Sequence, residues 1–187
     1  MIPGSSHAFT FKTMGDALVL RNHLIEQFER ADATSESSTR RGCLTVVVIG
    51  GGLVGIELLG ELTAFTNDVL RFYPRLRRDE IRFSLFEAGA RVLPEIDERL
   101  AVAATRVLQR RGADIRVSTP VRLIEAGRVR IATEIVDAGT IVLAAGIVPS
   151  AVAASIPVVH DQRGRIVVDG TMRSRSHGGG QQPATGR

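Results

Sequence analysis

The 187-residue chain has a single cysteine, Cys43, and a single lysine, Lys12. One cysteine excludes an intramolecular disulfide and any Cys-x-x-Cys redox pair. Cys43 stands at the entry to an apolar run, where a small buried hydrophobe is its expected role. The lone lysine does not follow the glycine-rich segment, so a P-loop of the Walker type is excluded. His7, His23, His160 and His177 fall in separate segments without metal-ligand spacing; no metal site is expected, and each is read as a surface residue. No nucleophile elbow offers a serine for Ser-His-Asp chemistry. No basic stretch followed by an apolar one opens the chain as a secretory signal would, so the expected setting is cytoplasmic.

With Lys12 the only lysine among 24 basic residues, the other 23 are arginine, and the formal balance is +4. The skew towards arginine is read as coding bias. The densest basic cluster is Arg71, Arg75, Arg77, Arg78 and Arg82, next to Phe72 and Tyr73. Asp68, Asp79 and Glu80 interrupt it, so a solvated face is expected there rather than a surface for nucleic acid or anionic lipid. An apolar content of 44% suffices for a proper core.

What the chain does have is one sharply organised glycine segment. Residues 46–57 read Val-Val-Val-Ile-Gly-Gly-Gly-Leu-Val-Gly-Ile-Glu, an apolar run leading directly into Gly50-x-Gly52-x-x-Gly55. Strand, glycine turn and helix in that order form a dinucleotide-binding fingerprint. Gly50 permits the tight turn, Gly52 lets the backbone approach a pyrophosphate, and Gly55 lets the helix pack closely on the sheet. Gly50, Gly51, Gly52, Leu53, Val54 and Gly55 together make the expected cofactor-binding turn. The helix that follows aims free N–H groups and its positive dipole end at bound phosphate. Leu44 to Phe65 is apolar enough to compare with a membrane helix. Three consecutive glycines argue against that, as do Glu57 and Glu61, each costing about 2.5–3.5 kcal/mol in hydrocarbon.

Around this segment strands and helices alternate. Residues 1–12 are read as irregular, and Thr13 with Asp16 has the spacing of a capping box opening a helix to about Arg30. Residues 31–42 are polar and rich in serine and threonine, a linker before the nucleotide domain. Strands are expected at Leu44–Ile49, Ile81–Phe86 and Asp114–Val117. Helices are expected from Val54 towards Leu70 and after Asp97, the second stopped by Gly112. Val121–Glu125, Arg128–Ala132 and Glu134–Val136 are too short for crossover helices and read as a meander, followed by a buried strand at Thr140–Ala145. The fold class is α/β: a Rossmann-like parallel sheet with helices on both faces and a small antiparallel β-meander. The expected organisation is an N-terminal helix and linker over 1–39 and a nucleotide-binding domain over 40–150. A return segment with a strand at Arg165–Val168 follows over 151–177, then a disordered tail over 178–187.

A carboxylate ending the second strand hydrogen-bonds the adenosine ribose and repels a 2′-phosphate, so Glu87 points to NAD over NADP. It lies 37 residues beyond Gly50 because a segment of roughly 66–80 is inserted before the strand. Arg91 either pairs with Glu87 or contacts phosphate. Glu57, in the first turn of the helix, suits the helix dipole and is also a candidate for a role near the nicotinamide.

These residues resemble the flavin-dependent pyridine-nucleotide oxidoreductases, and within them the type II, single-subunit NADH dehydrogenases. The likeness rests on Phe11-Lys12-Thr13-Met14-x-Asp16-Ala17, Gly50-Gly51-Gly52-x-x-Gly55-x-Glu57, Arg71-Phe72-Tyr73-Pro74, Arg91-Val92-Leu93-Pro94-Glu95 and Ala144-Ala145-Gly146-x-x-Pro149. It covers about residues 8–177. The resemblance implies an NADH-binding domain inserted in an FAD-binding one. Gly50, Gly52 and Gly55 would hold the NADH pyrophosphate, Glu87 the ribose, and Glu57 would be the catalytic carboxylate beside the nicotinamide. Gly146 would sit where the chain crosses back towards the flavin domain. It implies hydride transfer from NADH to FAD and onward reduction of a membrane quinone, the cofactors carrying the chemistry. A second glycine fingerprint is lacking, as is the Gly-Asp motif expected after His177. The chain is therefore read as incomplete, with a flavin-domain partner elsewhere and the whole enzyme peripheral to the inner-membrane face. The alternatives are a non-catalytic dinucleotide-binding module, or another FAD/NAD(P)-binding oxidoreductase of the same superfamily. No nucleic-acid partner and no transmembrane segment are expected.

Overall fold

All five residues of strand β2 (Thr45–Ile49) are buried, as a central parallel strand covered on both faces requires. The computed structural model describes residues 2–132, 134–146 and 149–174, and the chain divides into two compact units, one ending at Ala145 and one starting at Gly146. In the first unit β2 pairs in parallel with β3 (Arg82–Phe86) on one side and β8 (Thr140–Leu143) on the other. Strand β4 (Ala113–Arg116) flanks β3, and a two-residue strand β1 (Phe9–Thr10) flanks β8, giving the order β1-β8-β2-β3-β4. A second, antiparallel sheet contains β5 (Leu123–Glu125), β6 (Arg128–Arg130) and β7 (Ile135–Asp137). The Rossmann-like parallel sheet, its helices and the meander expected from the sequence are all present.

Strand order decides which face each connection covers. The connections β1 to β2, β2 to β3 and β3 to β4 all step in one direction across the sheet. Right-handed crossovers then place α1 (Met14–Ala33), α3 (Leu53–Leu70) and α4 (Glu98–Arg110) on one face, with α2 (Ser37–Cys43) leading into β2. Leu20, Leu24, Phe28, Leu59, Leu62 and Leu108 from these helices share a core with Val46, Val48, Phe83 and Leu85. The step from β4 back to β8 runs the other way. It lies on the opposite face, where Val47, Ile49, Phe86 and Ile141 pack against Ile124, Val129 and Ile131 of the meander region. Helices were expected on both faces; here they cover one and the meander covers the other, because the connection from β4 to β8 runs through the short antiparallel strands instead of a helix.

The polar stretch 31–42, expected to be a linker, is mostly helical: α1 extends to Ala33 and α2 starts at Ser37. Its polar side chains are the cause. Glu36 accepts hydrogen bonds from Ser38 N at 3.0 Å and Thr39 N at 2.7 Å, and the Ser38 hydroxyl adds another. Arg40 donates to Glu80 Oε1 at 2.9 Å and to the Ala31 carbonyl at 3.2 Å, closing α2 against α1. Residues 1–12, expected to be irregular, supply β1 and an anchor, since Ile124 N donates to Pro3 O at 3.0 Å. Helix α1 opens through the expected capping box, Asp16 N to Thr13 Oγ1 at 3.1 Å and Thr13 N to Asp16 Oδ2 at 3.0 Å.

In the second unit, α5 (Ala151–Ser155) is capped by Ser150 Oγ, which accepts from Ala153 N at 3.1 Å. The strand expected at Arg165–Val168 does not form; only isolated bridges join His160 to Ile166 and Val168 to Ser174. The Asp161 carboxylate accepts from Arg163 N, Arg165 N and Arg165 Nε and closes a tight turn at residues 162–164, across which Val167 N donates to Val159 O at 2.8 Å. The tail expected over 178–187 lies outside the described residues.

The cap on α2 makes a pH-dependent contribution. Hydrogen bonds from the Ser38 and Thr39 hydroxyls, and then from their N–H groups, hold the Glu36 carboxyl at about 2 against an ordinary 4.5. A depressed carboxyl stabilises the fold fully above about 4.5, and this stability is lost as the pH falls through about 2. Glu36→Gln is expected to lower the melting temperature at neutral pH. In a pH series of thermal scans the gap from the unmodified protein should close towards pH 2.

Candidate functional site

At the carboxyl end of β2 the chain turns through three glycines into α3. Gly50 takes a φ of 111°, and its N–H donates to Phe86 O at 2.9 Å, so the turn begins while still bonded to β3. A Cβ there would lie 2.8 Å from the backbone of Ala144 and Ala145. Gly55 is more restricted still: its Cβ would lie 1.9 Å from the Gly50 carbonyl oxygen, where the helix crosses the strand that feeds it. Gly51 is walled in by Val92 Cγ1 at 2.8 Å and Glu87 Cβ at 3.1 Å. Gly52 differs from all three. Apart from its chain neighbours, a Cβ there would meet only Glu95 Oε1, at 3.8 Å, and its φ of −73° suits any residue. The protein's own packing requires the other glycines, whereas Gly52 borders open space at the mouth of the helix.

Helix α3 has Gly52 as its N-cap and no side chain capping it. Its first internal bond runs from Ile56 N to Gly52 O at 3.1 Å, and the N–H groups of Leu53, Val54 and Gly55 have no acceptor among the described residues. Free donors, the helix dipole and the space over Gly52 together make a cradle for a phosphate group. Leu53 and Val54 lie half-exposed at its rim.

Glu87 follows β3 and is half-buried. Its Oε2 accepts from Gly51 N at 2.5 Å and its Oε1 from Gly89 N at 2.6 Å, which fixes the carboxylate against the glycine turn. Each oxygen keeps capacity for a further hydroxyl donor. The inserted segment does not disturb this contact, because it packs on α1: Leu76 is buried, and the Tyr73 and Phe28 rings lie 5.8 Å apart. Glu57 is exposed on α3, with no hydrogen bond or ion pair among the described residues. Gly146 belongs to the second unit and has a φ of 73°.

The family model described as pyridine nucleotide-disulphide oxidoreductase matches residues 1–178. The chain belongs to this family. It is 35% identical over 122 residues to an external alternative NAD(P)H-ubiquinone oxidoreductase, B4, mitochondrial, of Arabidopsis thaliana, a match covering 64% of this chain and 21% of that protein. It is 25% identical over 177 residues to the type II NADH:quinone oxidoreductase NdhA of Mycobacterium tuberculosis, covering 89% and 38% respectively. Its fold resembles NDH2 from Plasmodium falciparum in complex with NADH, with a TM-score of 0.79 and 20% identity over 83% of this chain and 34% of that one. The chain spans between 21% and 38% of the length of these relatives.

In this pyridine nucleotide-disulphide oxidoreductase chain the lone Cys43 is buried and unpaired, so the chain carries no disulfide of its own. Arg91, considered from the sequence as a partner of Glu87, turns elsewhere: its Nη2 donates to Pro94 O at 2.8 Å and Ile96 O at 3.2 Å. Those bonds close a loop that sequence reasoning did not assign to the site. Within it Leu93 takes a φ of 51° and donates its N–H to Gly51 O at 2.7 Å. Val92 packs on Gly51, and Glu95 reaches Gly52. The sequence signal for these three was the Arg91-Val92-Leu93-Pro94-Glu95 stretch, which carried the family resemblance but no assigned role.

Two histidines expected on the surface are partly buried. His23 Nε2 lies 2.9 Å from Gly139 O and its ring 4.5 Å from that of Phe9, whereas His160 Nε2 lies 2.9 Å from Ala153 O. His177 lies outside the described residues. Within the arginine cluster, Arg78 donates to Asn67 Oδ1 and to Arg111 O, both at 2.8 Å, and Arg77 pairs with Asp79. Among the described residues no group of His, Cys, Asp and Glu is arranged to hold a metal, and no helix is long and apolar enough to cross a membrane.

The contrast among the glycines predicts opposite outcomes for one substitution. Gly55→Ala should cost more than about 3 kcal/mol through backbone overlap, read as a steep fall in melting temperature. Gly52→Ala should leave stability unchanged or raise it by about 0.4–1 kcal/mol. Equal losses at both positions would show that Gly52 also serves the fold.

Proposed function

We propose that this chain is the NADH-binding part of a type II NADH:quinone oxidoreductase and works with an FAD-binding half outside the described unit. The observation carrying this reading is the open cradle at Gly52, with three unbonded helix N–H groups in front and the Glu87 carboxylate beside it. The Leu53, Val54 and Gly55 N–H groups hold the pyrophosphate. The spare capacity of Glu87 takes the ribose hydroxyls, and its charge opposes a 2′-phosphate, so NADH is favoured over NADPH. Glu57, exposed on the same helix, stands beside the nicotinamide. Gly146 serves the return of the chain towards the flavin side. Bound NADH supplies the hydride, and the protein's task is to bind, orient and shield it.

Relatives named as NADH:quinone and NAD(P)H-ubiquinone oxidoreductases support a quinone as final acceptor. A titration of the purified protein, followed by NADH fluorescence, is expected to saturate with a Kd between about 1 μM and 1 mM. Gly52→Val should abolish that binding while the melting transition is kept, because its side chain fills the cradle. A folded protein that never saturates with NADH would remove the reading. Glu87→Gln should narrow the ratio of NADPH to NADH dissociation constants by roughly one order of magnitude, on the scale of one lost charge-assisted hydrogen bond. An unaltered ratio would assign nucleotide choice to other residues.

A further inference from the structure

Among the described residues, Glu95 is the only group, apart from chain neighbours, within 4 Å of a Cβ built on Gly52; its Oε1 lies 3.8 Å away. It is exposed, and among the described residues it forms no hydrogen bond or ion pair. The loop carrying it is firmly held. Arg91 Nη2 grips the carbonyls on either side of Glu95, those of Pro94 and Ile96. Ile96 N donates to Leu93 O at 3.2 Å, and Leu93 N donates to Gly51 O at 2.7 Å. Arg91 is thereby engaged with carbonyl oxygens, and among the described residues it forms no ion pair with the Glu95 carboxylate. The loop is pinned to the same glycine turn that forms the cradle, and it presents at the cradle's edge a carboxylate with no ion-pair partner among the described residues.

We propose that Glu95 sets the affinity of the nucleotide site by opposing the pyrophosphate charge, which keeps binding weaker than the backbone cradle alone would make it. The proposal rests on the dinucleotide reading of the site. The cradle's donors are backbone N–H groups, already in place before the ligand arrives. A fixed anion at their edge repels a pyrophosphate carrying two negative charges without altering those donors. Coulomb repulsion across a solvent-exposed gap is moderate and is screened by salt. The device therefore acts mainly at low ionic strength, and it speeds release of the nucleotide without reshaping the pocket.

The test is NADH affinity for the unmodified chain, Glu95→Gln and Glu95→Ala, at low salt and in about 0.5 M KCl, where charges more than a few ångströms apart are screened. At low salt both variants are expected to bind roughly three- to tenfold more tightly, with the change mostly in the dissociation rate. In high salt the three constants should converge, while the melting temperatures remain alike throughout. A structural role for the side chain would not produce a gap that salt abolishes. Equal constants at low salt, weaker binding by the variants, or a gap of the same size at both salts would overturn the proposal while leaving the dinucleotide site standing. Loss of saturable NADH binding in all three folded proteins would instead overturn the reading on which it rests.

Discussion

The crossing of α3 over the end of β2 is the constraint on which the rest of the first unit depends. The helix passes so close to the strand that a single methyl at Gly55 would overlap the Gly50 carbonyl. That approach aims the unbonded end of α3 at the carboxyl edge of the sheet. It also lets Ile56, Leu59 and Leu62 enter the core beneath Val46 and Val48. Fold and candidate site share this contact. A helix standing further off would leave the sheet poorly covered and move the donors from the ligand position, so neither part can be altered alone.

Electrostatically the site is unusual for a chain so rich in arginine. Among the described residues, the turn is held from outside by backbone groups and by Glu87, with no hydrogen bond from a cationic side chain. The arginines are engaged elsewhere: Arg40 with Glu80, Arg78 with Asn67 and Arg111, Arg116 with Asp114 and Glu134, and Arg91 with two carbonyls. Binding of an anion at the cradle thus depends on pre-set hydrogen-bond geometry more than on net charge. On the proposed reading, the carboxylates at its border, Glu87 and Glu95, are the groups that bear on affinity and nucleotide choice.

Elements with strong periodic or steric signals were legible in the amino-acid sequence. The apolar run before Gly50, the helix after it, the Thr13–Asp16 box and the stop at Gly112 all depend on residues within a few positions of each other. Polar stretches misled. The segment 31–42 looked like a linker because its composition is that of a loop, yet Glu36 caps it and Arg40 ties it to Glu80, forty residues away. Likewise Arg165–Val168 has the composition of a strand, but it follows a tight turn at residues 162–164 closed by Asp161 and makes only isolated bridges among the described residues. Strand β1 is too short for any pattern and exists only because β8 offers it an edge.

The sequence by itself determined the glycine turn, the alternation of strands and helices from β2 to β4, and the carboxylate ending β3, because each follows from local spacing and burial periodicity. Only the tertiary structure decided which face the helices occupy, since that follows from strand order and crossover handedness. It also decided which glycines serve packing and which one borders the ligand space, a matter of what lies opposite each Cα. The loop carrying Val92, Leu93 and Glu95 joined the site in the same way. Its contacts with Gly51 and Gly52 bridge some forty residues of chain, a distance over which spacing carries no information and only packing brings groups together.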